Sequence, residues 1–472
     1  MYARPPLCSP PLSCRLLVGA WQACWLPLAR AKARLALSAD QLACFQSEAS
    51  FASAPLLPGG LPGQAASPVP PHSTRSDAPF APATSQRPPW GRRVAQALLI
   101  VLTLLGFLLS LTPWGRASLR TGLLLPALLS VSQGPALRLF GEPVRFSRTT
   151  LASATAGPVY LDLYAPDDAT PLIPGRRQAV VVIAGLGDNR ADVQLVNFAR
   201  ALASDGMVVA IVGTPALFDF VLRREDSVAV VQVFELLAHH RDVDPAHIGL
   251  VGFSAGNALA CFAAADPRIR HQVAFVLSFG GFFEAMTLLE AIATHQLQVD
   301  DHTQLWIPYY VPLQALAHTL STILPPHEAA LLRSAFAQNG RPLTSRELSQ
   351  LSPSTRAAYH LLAGDQPQQV AANLAALSPQ MRALLAQLSP AGVVAEIEAP
   401  IFLLHDRSDA YVPFTETRAF AAALQRLHHP YDMAEFGIFQ HVEVRSGLSP
   451  LQLLGDSSRL ATIIWKITLV GS

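Results

Sequence analysis

Lysine is almost absent from this chain of 472 residues: only Lys32 and Lys466 occur, so 32 of the 34 Lys and Arg residues are arginine. Without an internal lysine no G-x-x-x-x-G-K-[ST] phosphate loop can form, and Schiff-base chemistry has almost no candidate. Charge is scarce as a whole. Charged residues make up 14% of the sequence, against ~25% in an ordinary soluble domain, and hydrophobic residues make up 51%. That balance implies a large buried core, a membrane segment, or both. A formal net charge of +1 with no basic run excludes nucleic acid as an expected partner. Of five cysteines, Cys8, Cys14, Cys24 and Cys44 lie near the N-terminus and Cys261 stands alone after them. No C-x-x-C and no H-E-x-x-H occurs, so neither a metal nor a cofactor is expected. Cys261, in an apolar helical stretch, reads as an inert packing residue.

Charge also divides the chain. Residues 1–93 carry nine Lys/Arg and three Asp/Glu, whereas the remainder carries 25 and 30. Ten of the 35 residues from Pro55 to Pro89 are proline, in company with Gly, Ser and Ala. Such a stretch buries too little apolar surface to offset chain entropy, so residues 1–93 are expected to be a disordered tail. An Arg-bearing, acid-poor leader also suits organelle targeting. Gly91-Arg92-Arg93 is followed by 22 uncharged residues, Val94 to Gly115. That exceeds the ~20 needed to span a hydrocarbon core, so one transmembrane helix over 94–115 and a single-pass membrane location are expected. Arginines flank both ends (Arg92 and Arg93, then Arg116 and Arg120), which gives a slight bias toward an internal N-terminus and an extracytoplasmic C-terminal domain. Leu123 to Val131 is too short to span and holds Pro126. It is expected at an interface or packed on the domain.

From about residue 142 to 472 the pattern changes to alternating strands and helices. Extended candidates are 144–151 and 158–166, then the continuous apolar run 179–185, the mark of a strand buried on both faces. Further buried strands are expected at 207–213, 248–253, 273–279 and 401–405, and an extended segment at 431–437. Helices are expected at 197–206, 227–240, 413–427 and 457–467. This order implies an α/β fold with a mostly parallel, doubly wound sheet. Between Phe279 and Pro400 no convincing strand occurs, and short helical stretches begin at Ser/Thr/Pro. A structureless loop of that length is implausible, so a helical lid insertion over about 283–399 is expected.

The sharpest motif is Gly252-Phe253-Ser254-Ala255-Gly256. A lone G-x-S-x-G is weak, and a serine capping a helix after a strand is the plain alternative. Here IGLVGF runs as a buried strand straight into the motif and AGNALACFAAA follows as a helix rich in small residues. That strand, sharp turn and helix lift a serine hydroxyl above the sheet, and Gly252 and Gly256 are needed because side chains there would collide across the turn. With these residues, VDPAHIGLVGFSAGN resembles the α/β-hydrolase superfamily, and within it the esterase and dienelactone-hydrolase-like branch. The resemblance covers about Val144 to Ile467.

The resemblance implies a chain order of Ser, acid, His. IFLLHDRSDAYVPF offers Asp409 in the loop after the strand 401–405, matching the family's D-x-x-V-P through Val412 and Pro413. Asp406 competes three residues earlier, with a turn hydrogen bond as its plain role, and Glu284 is a third candidate. His441 lies in the loop after Phe436-Gly437. His428 and His429 precede that strand, at the wrong end of the sheet. In this reading Ser254 attacks an acyl carbon, His441 moves the proton and Asp409 orients the imidazole. The oxyanion donors are expected to be the backbone N–H groups of Ala255 and Leu186. The sequence departs from the family there, with Ala184-Gly185 where many members have His-Gly. The implied substrate is a small-molecule, apolar carboxylic ester. A peptidase or an acyltransferase would use the same triad, and a non-catalytic membrane-anchored binding protein is the reading from another class. Phe282, Phe283, Trp306, Tyr309 and Tyr310 in the insertion are candidates for a pocket lining, with core packing expected for most of them.

Overall fold

The structure, a computed structural model, describes residues 89–129, 135–167, 176–445 and 449–470. Of the tail expected over residues 1–93, residues 1–88 lie outside them, and residues 89–93 are not irregular but open the helix Pro89–Leu111. Eight strands form the main sheet: β1 (Val144–Ser153), β2 (Gly157–Pro166), β3 (Arg177–Ile183), β4 (Val208–Gly213), β5 (Val243–Phe253), β6 (Val273–Phe279), β7 (Ile401–Asp406) and β8 (Tyr431–Phe436). Their order across the sheet is β1-β2-β4-β3-β5-β6-β7-β8. β2 runs antiparallel to both of its neighbours, and every other pairing is parallel. The expected strands are all present. β4 and β7 are buried along their whole length, as continuous apolar runs require of strands covered on both faces.

One face of the sheet is covered by helices Ser227–Ala238, Gly256–Ala264 and Phe414–Arg426 and by the insertion. The other face, with Val180, Val182, Val251 and Leu277, packs against Val193–Ser204, Pro113–Leu128 and Pro450–Val470. Val193–Ser204 starts four residues before the expected helix, because Asp192 caps it: Oδ1 accepts from the Gln194 and Leu195 N–H groups at 2.8 and 3.1 Å. Cys261 is fully buried, and burial pushes its thiol up to about 12, where it is inert.

The single helix expected over 94–115 is in fact parts of two. The first, Pro89–Leu111, stops before Thr112, whose Oγ1 accepts from Gly115 N at 3.1 Å and caps a second helix, Pro113–Leu128. Proline has no N–H to lose at a first helical position, and its ring would clash with the preceding turn if the helix ran on. Among the described residues no helix is long and apolar enough to cross a membrane. The second helix belongs to the packed body. It buries Leu124 and Ala127, and Arg120 Nε meets Asp205 Oδ2 at 2.6 Å. This helix thus packs on the sheet although it precedes residue 142.

The insertion between β6 and β7 holds helices Ala285–Thr294, Tyr310–Ser321, Pro326–Ala335, Ser345–Leu348, Pro353–Ala363 and Pro379–Gln387, and the Ser/Thr/Pro starts expected there open Ser345–Leu348, Pro353–Ala363 and Pro379–Gln387. It also holds an antiparallel hairpin, Gln296–Val299 with His302–Leu305, that the sequence reading lacked. These are four-residue strands whose alternation buries only Leu297 and Val299. So short a period-two signal carries little weight. Glu416, buried on Phe414–Arg426, ties the insertion to the sheet. It accepts from Phe283 N, Glu284 N and Thr287 Oγ1 at 2.9, 2.8 and 2.6 Å. Glu284, the third acid candidate, is exposed at the start of Ala285–Thr294.

Candidate active site

β5 ends at Phe253, Ser254 turns the chain, and helix Gly256–Ala264 begins two residues later. Ser254 has φ +53°, a left-handed conformation that non-glycine residues seldom adopt and that a tight turn must hold in place. Ser254 N–H anchors the turn on Phe279 O at 2.9 Å. A Cβ on Gly252 would lie 2.4 Å from Asn257 Cα, and one on Gly256 would lie 2.4 Å from Ile183 O, so both positions exclude a side chain.

The structure brings Asp409 and His441 together. His441 Nδ1 stands 2.6 Å from Asp409 Oδ2. A carboxylate only accepts, so Nδ1 carries the proton and Nε2 is left as the basic nitrogen. Asp409 is buried and fully bonded: its Oδ1 accepts from Tyr411 N and Val412 N at 2.7 and 3.1 Å. Burial alone would raise its carboxyl. The electrostatic attraction of the His441 ring and the hydrogen bonds from His405 and His441 outweigh burial and hold it well below the usual carboxylate range. Tyr411 stacks on the His441 ring, centroids 4.5 Å apart and planes at 15°. Trp306 Nε1 donates to Asp409 O at 2.7 Å, which gives that aromatic of the insertion a positioning role.

Asp406 does something else. Its Oδ1 accepts from Ser408 N and Oγ at 2.7 and 2.6 Å, and its Oδ2 from Phe439 N at 2.8 Å. It therefore ties the loop carrying Asp409 to the segment two residues before His441. His429 Nε2 bonds Ala399 O at 2.8 Å and His428 is exposed, both away from Ser254.

Sequence reasoning missed His405, which is fully buried at the end of β7. Its Nε2 lies 3.2 Å from Asp409 Oδ2 and 2.9 Å from Val412 O, two acceptors, so Nε2 bears the proton. Thr417 Oγ1, 2.7 Å away, then donates to Nδ1. The available signal was a lone histidine in an otherwise apolar strand, four residues before Asp409. Equally missed was the ion network beside the oxyanion loop. Arg190 binds Asp188 at 2.7 Å, lies 3.6 Å from the buried Asp162 and stacks on Tyr160 and Phe218.

Ser254, Ala255, Leu186, Tyr411 and His441 line one cavity of about 620 Å³. Among the described residues, no hydrogen bond joins the Ser254 hydroxyl to His441, and no protein acceptor takes up the N–H of Leu186 or Ala255. Bonds to a catalytic base commonly tighten only with substrate in place. Gly185 has φ +91°, and a Cβ there would sit 3.1 Å from Phe253 O and 3.3 Å from Ser254 Cβ. Gly185→Ala is thus expected to push Leu186 off the elbow and to lower kcat roughly 10²-fold, the scale of one lost oxyanion donor, while circular dichroism stays native. Unchanged kcat would remove Leu186 from that role.

The strand order, the single antiparallel β2, the left-handed Ser254 turn after β5 and the insertion before β7 occur together. The fold is that of the α/β-hydrolases. No protein-family model and no curated protein matches the sequence. Among solved structures the chain is similar to dipeptidyl peptidase 4 of Porphyromonas gingivalis, with 15% identity over 69% of this chain and 36% of that one and a TM-score of 0.40. It is similar to a 2,6-dihydroxy-pseudo-oxynicotine hydrolase at 17% identity over 71% of both chains, TM-score 0.41. Esterase B of Lactobacillus rhamnosis matches at 18% identity over 69% of this chain and 89% of that one, TM-score 0.41. The hydrolases so matched include esterases and peptidases, and at such distances they assign no substrate.

Proposed function

We propose that this α/β-hydrolase is a serine hydrolase of carboxylic esters. The observation that carries the reading is the Asp409–His441 pair opening onto the same cavity as the left-handed Ser254 and two backbone N–H groups without protein acceptors. In the reaction Ser254 Oγ bonds to the acyl carbon as His441 Nε2 takes its proton. The ester C–O bond then breaks and His441 protonates the departing alcohol. Water, activated by the same imidazole, releases the acid. A mostly apolar cavity favours an ester over a peptide, whose amides would need hydrogen-bond partners there. Labelling with a fluorophosphonate, followed by mapping of the labelled peptide, tests the reading without knowledge of the substrate. Modification on the peptide carrying Ser254 supports it, and an unlabelled, folded protein overturns it.

The pH profile gives a second test. Asp409 is held well below the usual carboxylate range, so it is not expected to contribute to an acid limb of kcat/KM above that range. Activity should fall as pH drops, because a protonated imidazole cannot accept from Ser254, and the limb should have the slope of a single proton. A two-proton slope would show that a second group, such as Asp409, titrates there.

In the same reading the helix Pro89–Leu111 attaches the enzyme to a lipid surface. Leu98, Ile100 and Val101 are each 58% exposed, and Phe107 64%, an apolar display suited to an interfacial helix. Deleting residues 1–111, and so keeping the Thr112 cap, is expected to convert a detergent-requiring protein into one that stays in buffer and still hydrolyses a short-chain ester. Full-length protein in the soluble fraction without cleavage would sink the attachment.

A further inference from the structure

Ser254 lines a cavity whose other lining residues lie on both faces of the sheet, in two groups. One lies beneath the insertion, among Phe282, Leu288, Ala315, Leu316 and Leu388. The other turns down the opposite face of the sheet, beneath helix Pro450–Val470, lined by Phe198, Val251, Leu277, Leu460 and Ile464. Protein interiors hold few voids larger than a water molecule, so a space of this size, continuous with the nucleophile, is binding space and not a packing defect. Its depth follows from the strand register. The lining residue Val180, on that face, pairs with Gly249, four positions before Phe253 on β5. At ~3.3 Å per residue the arm reaches roughly 13 Å from the nucleophile turn. Polar Gln178, which accepts from Arg120, marks its far end.

We propose that this second arm is a channel for a long aliphatic acyl chain, which makes long-chain fatty-acyl esters the substrate class. The proposal rests on the serine-hydrolase reading and adds the substrate to it. An apolar space that runs from the reacting end to a polar pair suits a single unbranched chain, since every methylene entering it leaves water. The alcohol part then occupies the arm beneath the insertion.

The test uses the full chain and 4-nitrophenyl esters from acetyl to hexadecanoyl. A companion series holds the acyl group at butyryl and lengthens the alcohol. Lengthening the acyl chain from butyryl to dodecanoyl is expected to raise kcat/KM by on the order of tenfold or more. Ile464→Trp, which fills the channel, should lower the long-to-short ratio by a similar factor. Ile464→Ala, which widens it, should keep the long-chain preference and so guards against a variant that fails to fold. A preference that survives Ile464→Trp, that follows the alcohol, or that does not exist would overturn the channel while short-chain turnover and labelling persist. Loss of labelling and of all ester turnover in the unaltered protein would instead sink the serine-hydrolase reading.

Discussion

Ser254→Ala is expected to abolish fluorophosphonate labelling and to lower ester turnover by on the order of 10⁴–10⁶, the range seen when a triad nucleophile is removed. The large effect follows from the loss of the covalent route itself: no other side chain occupies the left-handed turn between β5 and helix Gly256–Ala264. A residue of activity should remain, because the cavity and the N–H groups of Leu186 and Ala255 still bind and polarise an ester. Folding should survive. The turn is held by Ser254 N–H on Phe279 O and by close packing at Gly252 and Gly256, none of which uses the hydroxyl. Near-normal turnover by Ser254→Ala, with a native melting curve, would remove the nucleophile from Ser254.

The strands were legible because burial on both faces demands apolar runs, and residues 179–183 of β3, 208–213 of β4 and 401–404 of β7 supply them. The nucleophile turn was legible because its glycines answer a steric demand that no other residue meets. What stayed hidden is what depends on tertiary context. Thr112-Pro113 marks a cap and a first helical position, yet the uncharged run across it reads as one helix until packing separates the two. Nothing in the local pattern of Pro113–Leu128 says that it covers the sheet. The hairpin at 296–305 is too short for its alternation to register. His405 lies in a strand whose apolar pattern draws attention away from it, and its link to Asp409 forms only when β7 meets the following loop. The arm beneath Pro450–Val470 belongs to three helices and four strands distant in sequence, and no periodicity records such a space.

Burial makes the acid the most exacting part of this site. A carboxylate removed from water is costly unless its oxygens are filled, and Asp409 has two backbone N–H donors on one oxygen and two histidines on the other. The structure therefore invests four donors in keeping one carboxylate charged beside one imidazole. Asp406, equally buried, takes three donors but none from a ring that reaches the cavity.

Asp409→Asn is accordingly expected to lower kcat about 10⁴-fold, as loss of the correct imidazole tautomer does in other triads. The single carbonyl of asparagine would stay on the Tyr411 and Val412 N–H groups, so its N–H₂ would face two histidines that both donate. At least one His441 nitrogen would then be misassigned, and the proton would favour Nε2, where Ser254 needs a base. Asp406→Asn should behave differently. It disturbs the bonds to Ser408 and Phe439, so melting should report a loss of about 1–3 kcal/mol, with turnover reduced by no more than about tenfold. The pH profile separates the two cases further. Asp409→Asn should regain rate at high pH, where hydroxide can bypass the imidazole, whereas Asp406→Asn should keep the profile of the unaltered protein. Equal losses from the two substitutions, or a larger loss from Asp406→Asn at an unchanged melting temperature, would transfer the acid's role to Asp406.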